Sequence, residues 1–186
     1  MRWGLFRGFV AATVLFSAGP SLASITVFGD SFASTCSKYA REGRLDVAAL
    51  DVCGAALSEG VISRHDLAAT YVNRATIHLH RQDWPSALVD LNAALAVDQS
   101  LGEARVNRGA VYIAQGKPRD AITEIDAGLQ LGSDEPEKAY YNRAIANELM
   151  DDVRSAYFDY RKAADLAPKW TEPQQALTRF KVSAKN

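Results

Sequence analysis

Two things are scarce in this 186-residue chain: net charge and uninterrupted apolar sequence. Basic and acidic side chains nearly cancel, 21 against 22. There is thus no basic field to attract nucleic acid and no polybasic patch for an anionic membrane. The one apolar run, GFVAATVLFSAG, is interrupted and too short to cross a bilayer comfortably. Cysteine occurs only at 36 and 53, a spacing that excludes a Cys-x-x-Cys redox motif. Histidine occurs three times, at 65, 78 and 80. His78 and His80 are two apart, so on a helix they point to nearly opposite sides, whereas two helical metal ligands need a spacing of three or four. No metal or cofactor is expected. The 48% apolar and 23% charged content is ordinary for a globular chain, which argues against wholesale disorder.

The apolar run has the layout of an export signal. Arg2 and Arg7 precede it, Pro20 follows it, and Ser21-Leu22-Ala23 places small residues for cleavage after Ala23. No cysteine stands at that junction to carry a lipid anchor. Residues 1–23 are therefore expected to be a signal peptide. Their removal leaves 19 basic and 22 acidic side chains, a net charge of −3. The destination is a periplasm or the medium. In an oxidising compartment Cys36 and Cys53, with Gly43 as a turn between them, are expected to staple a helical hairpin. The alternative is two small buried residues that never pair.

From residue 67 the chain repeats. YVNRATI (71–77), RVNRGAV (105–111) and YYNRAIA (140–146) recur at intervals of 34 and 35. Small residues fall at Ala75, Gly109 and Ala144, then at Ala87, Ala121 and Ala156, then at Ala94, Gly128 and Ala163. Two helices approach closely only where small residues meet across the seam. Larger apolar residues, Leu91, Ile125 and Tyr160, supply the next layer. Pro85 and Pro118 suit the first turn of a helix. This pattern resembles the tetratricopeptide repeat, a helix–turn–helix unit of about 34 residues. Two positions depart from the family pattern: the second aromatic of the first helix reads His78, Tyr112 and Asn147, and the closing proline survives only as Pro168.

The resemblance implies an all-α solenoid of antiparallel helix hairpins wound as a right-handed superhelix. Three clear repeats occupy 67–170. A degenerate hairpin at 34–66 precedes them, an N-terminal arm at 24–33 leads in, and a capping helix with its tail covers 171–186. Thr171 is expected to cap that last helix. Arg74, Arg108 and Arg143 are each followed 16 residues later by an acid, Asp90, Glu124 and Asp159. That offset suits an ion pair between the two helices of a repeat, or between neighbouring repeats; anion binding is the functional alternative.

In proteins of this family the first helix of each repeat lines a concave groove. Carried over by position, the groove residues are Asn73, Asn107 and Asn142, flanked by Val72, Val106 and Tyr141, with Thr76, Ala110 and Ile145 one turn further. A carboxamide offers both donor and acceptor and can pair with a peptide unit whatever its side chain. The competing reading is that these amides tie adjacent helices together. Valine and tyrosine stand where family members with a carboxylate clamp have lysine, which argues against capture of an acidic C-terminus. The expectation is a non-enzymatic module binding a polypeptide partner. Self-association as a structural envelope protein is the alternative.

One stretch points elsewhere. ITVFGDSFAST (25–35) resembles the first block of a GDSL-type serine hydrolase, with Ser31 at the nucleophile position. That family supplies its base from a C-terminal Asp-x-x-His, and no histidine here is so preceded. No alternating strand–helix pattern follows to hold the serine. A serine without its base is not activated. The stretch is read instead as an arm entering a helix, with Asp30 or Ser31 as its cap.

Overall fold

The computed structural model describes residues 31–59 and 62–180; the expected signal peptide, the arm up to residue 30 and the tail beyond 180 lie outside them. Among the described residues there are nine helices and no strand. They are α1 (Phe32–Arg41), α2 (Val47–Ser58), α3 (Arg64–His80), α4 (Trp84–Val97), α5 (Gly102–Ala114), α6 (Pro118–Gln130), α7 (Pro136–Leu149), α8 (Val153–Leu166) and α9 (Thr171–Leu177). Pairs α1/α2, α3/α4, α5/α6 and α7/α8 form hairpins, each packs on the next, and α9 covers α8. None of these helices is long and apolar enough to cross a membrane.

The hairpin turns share one local solution. The second residue after each first helix adopts a left-handed conformation: Gly43, Gln82, Gly116 and Asp151, with φ of 66°, 60°, 69° and 59°. The next N–H then reaches back five residues, from Arg44 to Tyr39, Asp83 to His78, Lys117 to Tyr112 and Asp152 to Asn147. This closes the helix end and satisfies carbonyls that would otherwise be orphaned. An aspartate next caps the second helix: Asp46 accepts from Ala49 N–H, Asp83 from Ser86 and Asp152 from Ser155. In the middle repeat Lys117 stands there without a side-chain cap, and Pro118 opens the helix.

The seam follows the small residues. Ala75, Ala87, Ala121, Ala144 and Ala156 have no exposed surface, and Leu91, Ile125 and Tyr160 fill the layer behind them. Each core cluster spans a repeat boundary. Val72 and Leu91 pack with Ala104 and Val111 of α5; Val106 and Ile125 pack with Ala139 and Ala146 of α7. Cys36 and Cys53 pack with Ile77 of α3, and Tyr160 packs with Ala176 of α9. A repeat thus buries its face on its neighbour, so stability accrues along the array.

The ends differ from the sequence expectation in detail. Ser31, one of the two expected caps, accepts from Ser34 N–H, and α1 starts at Phe32. Thr171 is the first helical residue of α9 and caps nothing; Trp170 precedes it, and the helix ends at Leu177. The sulfurs of Cys36 and Cys53 lie 2.04 Å apart with Cα atoms 4.9 Å apart, placed for a disulfide joining α1 to α2.

Candidate functional site

The first helices of successive hairpins touch one another, α1 to α3, α3 to α5 and α5 to α7, while no comparable packing links α4, α6 and α8 among the described residues. The odd-numbered helices therefore form the tighter, inner face of the array.

On that face Asn73, Asn107 and Asn142 are half-buried at equivalent places, and Thr76, Ala110 and Ile145 are half-buried one turn on. Asn107 Nδ2 lies 3.5 Å from Thr76 Oγ1 across the α3–α5 boundary, and the threonine hydroxyl donates to Val72 C=O at 3.0 Å. The side chains of Asn73 and Asn142 make no hydrogen bond among the described residues. The flanking positions fall elsewhere than expected. Val72 and Val106 are each only 4% exposed, buried in the inter-repeat core. The small residues of the second helices explain this: a Cβ on Gly128 would lie 2.7 Å from Val106 Cγ2, so the valine fills the space that glycine leaves. Tyr141 is half-buried against aromatics, its ring centroid 4.8 Å from Trp170 and 5.4 Å from Tyr160. Burial and nearby Glu172 raise its phenol above the ordinary range. The asparagines and the residues one turn after them thus keep part of their surface exposed, and the valines do not.

Four residues before each asparagine, hence on the same helical face, stand Ala69, Glu103 and Lys138. Lys138 is paired with Glu135 at 2.5 Å. Glu103 is raised above the usual carboxylate range by burial and by Glu135 and Asp134. The i−4 spacing from the asparagines is the sequence signal that marks these positions.

The arginines are structural partners within a repeat. Arg74 donates through Nε and Nη2 to Asp90 at 2.7 and 2.6 Å, Arg108 through Nη2 to Glu124 at 2.8 and 2.7 Å, and Arg143 to Asp159 at 2.9 and 2.7 Å. Two reach further, Arg108 to Asn92 and Arg143 to Asp126, on the second helix of the preceding repeat. The hydrogen bonds to Asp90 and Asp159 raise Arg74 and Arg143 above the ordinary guanidinium range. A guanidinium so engaged has an acid in the place an anionic ligand would take. The off-pattern residues join the same networks: Asn147 donates to Asp159 at 3.1 Å, and His78 Nε2 lies 3.9 Å from Asp90.

Sequence reasoning missed a cleft of about 290 Å³ between α1 and α3, lined by Ser31, Ser34, Ser37, His65, Asp66 and Thr70, with Asn73 at its edge. Ser31 caps α1 there, and no histidine is hydrogen-bonded to it among the described residues.

These features define a class, the helix-hairpin repeat solenoid with an inner face built from the first helix of each unit. No protein-family model and no curated protein matches the chain. Solved structures do, and they place the fold: it is that of tetratricopeptide repeat proteins. The first such domain of Spaghetti (RPAP3), bound to the HSP90 peptide SRMEEVD, is 19% identical with a TM-score of 0.55 over 60% of this chain and 88% of its own. A tetratricopeptide repeat protein from Parabacteroides merdae is 20% identical with a TM-score of 0.61; the match covers 80% of this chain and 56% of that longer one. MamA from RS-1, as the ArsTM double mutant, is 18% identical with a TM-score of 0.60 over 80% and 82%.

Proposed function

We propose that this is an exported, non-catalytic module that holds a segment of another polypeptide along the inner face of α3, α5 and α7. The observation that carries the reading is the repeated amide: three half-buried asparagines at one register, of which the side chains of Asn73 and Asn142 have no intramolecular partner among the described residues. A row of such groups can pair with successive peptide units independently of side chain. Support comes also from the RPAP3 domain, whose similar fold carries an HSP90 peptide. With lysine absent at the flanking positions, the segment held here differs from an acidic C-terminus. Export rests on the Arg2–Ala23 signal pattern and on a cysteine pair placed for a disulfide.

The test is a pull-down from the organism's envelope fraction, comparing the protein with an Asn73→Ala/Asn107→Ala/Asn142→Ala variant of matched helicity and melting. A partner captured by the wild type and lost with the variant supports the groove. The Asn107–Thr76 contact favours a second reading, in which the amides are ties between helices. A partner retained by the variant, together with a lower melting temperature for Asn107→Ala, would establish that one instead. Mass spectrometry of the mature chain checks cleavage after Ala23.

A further inference from the structure

The edge of the array formed by the hairpin turns carries apolar surface that the repeat does not call for. We propose that this edge is an interface between two copies of the chain, paired about a two-fold axis through their α5/α6 and α7/α8 turns. The proposal does not rest on the groove reading, because no asparagine of the inner face lines this edge.

The last residue of each first helix and the one after it are exposed in all three repeats. In the first two repeats they are His80-Arg81 and Ala114-Gln115, polar or small as such places ask. In the third they are Leu149 and Met150, 55% and 39% exposed, and Val153 at the start of α8 is 58% exposed. The hairpin does not need them. Its turn is closed by Asp152 N–H on Asn147 C=O and its next helix by the Asp152 carboxylate on Ser155 N–H, neither of which uses those side chains. Apolar side chains grouped in water are unfavourable, and a partner that covers them removes that cost.

The charges around them indicate which partner. Leu149 and Met150 open onto a cleft of about 560 Å³ whose opposite wall is the α5/α6 turn. That wall carries Lys117, Arg119 and Asp120, and the near wall carries Asp151. None of the four is in an ion pair among the described residues; Lys117 Nζ lies over the Tyr112 ring, 5.9 Å from its centre. Two cations and two acids sum to zero, so the cleft offers no field to nucleic acid or anionic lipid. They are nonetheless separated, with an excess of positive charge on one turn and a negative charge on the next. Such a surface is complementary to itself. In a two-fold pair every contact is made twice. A second copy turned over sets its Asp151 against Lys117 and Arg119 of the first, receives the reverse contact, and brings both Leu149-Met150 pairs together at the axis. The result is an apolar centre with a charged rim.

Two turns from each copy make a small interface, and a dissociation constant between about 1 μM and 1 mM is expected. Sedimentation equilibrium of the purified protein over that range should show a monomer passing to a dimer and no further, since a two-fold contact closes on itself. Leu149→Ala/Met150→Gln installs the residues of the middle repeat and should weaken pairing about tenfold or more with helicity and melting unchanged. Lys117→Glu and Asp151→Lys should each weaken it, and the two together should restore it. Met150→Cys should give an oxidised dimer, whereas Arg81→Cys, at the same place in the first repeat, should not. A wild type that stays monomeric throughout, growth into larger species, or pairing untouched by the Leu149/Met150 change overturns the proposal. An envelope protein captured through Leu149 and Met150 by a chain that remains monomeric assigns the edge to a different partner and equally overturns the pairing of copies.

Discussion

Replacing Gly109 with alanine should destabilise the array, although alanine occupies the same place in the other two repeats. A Cβ built on Gly109 lies 2.5 Å from Ile125 Cγ1, 3.1 Å from its Cδ1 and 3.1 Å from the Ala121 carbonyl oxygen. Ile125 is fully buried and cannot swing out. In the neighbouring repeats Ala75 faces Leu91 and Ala144 faces Tyr160, neither of which is branched at Cβ. Overpacking of this kind costs about 1–3 kcal/mol. Alanine regains about 1 kcal/mol of helix propensity over glycine. The net expectation is a loss of up to about 2 kcal/mol, or up to roughly 8 °C in melting temperature for a chain this size. Ile125→Leu should relieve the clash, because leucine moves the branch one carbon outward. The Gly109→Ala/Ile125→Leu protein should then be more stable than the sum of the singles implies, by about 1–2 kcal/mol of coupling. Urea titration followed by circular dichroism measures all four proteins. A Gly109→Ala variant more stable than wild type, or strict additivity with Ile125→Leu, would refute the reasoning that this contact sets the helix spacing.

Three further outcomes follow from the same geometry. Gln82→Gly and Asp151→Gly remove side chains from left-handed positions, which cost about 1–2 kcal/mol for L-residues, against about 0.5–1 kcal/mol of glycine entropy; each should raise the urea midpoint slightly, whereas Gly116→Ala should lower it. Asp90→Ala leaves the Arg74 guanidinium without its buried partner and should cost about 3 kcal/mol, the low end for a broken buried pair because Arg74 is a quarter exposed; a well-packed Arg74→Met/Asp90→Leu double should recover most of that in the same titration. Cys36→Ser/Cys53→Ser removes a cross-link closing a short loop, worth about 3 kcal/mol in the chain-entropy treatment; hydrogen exchange should accelerate in α1 and α2 while α5 to α8 stay protected, and uniform acceleration along the chain would contradict local coupling between repeats.

Much of the fold was legible because its determinants are local and periodic. Ala75, Ala87 and Ala94 with their counterparts 34 or 35 residues on mark a close helix seam, and only one arrangement of helices lets residues that small face each other. Pro85, Pro118 and the turn aspartates mark where helices start, since capping and a missing N–H act within one turn of chain. The asparagine register was equally readable from its spacing.

What the sequence left open depends on how one helix is rotated against another, and spacing within a helix is silent on that. Val72 and Val106 stand one residue before the asparagines, yet they turn into the core because Ala94 and Gly128 leave volume there. Arg74, Arg108 and Arg143 had two candidate directions for their acids; the crossing of the paired helices brings each to the acid of its own repeat, and Arg143 also reaches Asp126 of the repeat before. The cleft at Thr70 draws its walls from segments at least 28 residues apart, joined only when α1 packs beside α3. Periodicity along the chain thus determined the repeat and its seam. Rotation and crossing of helices, set by side-chain volume between neighbours, decided which of the repeated residues face a partner.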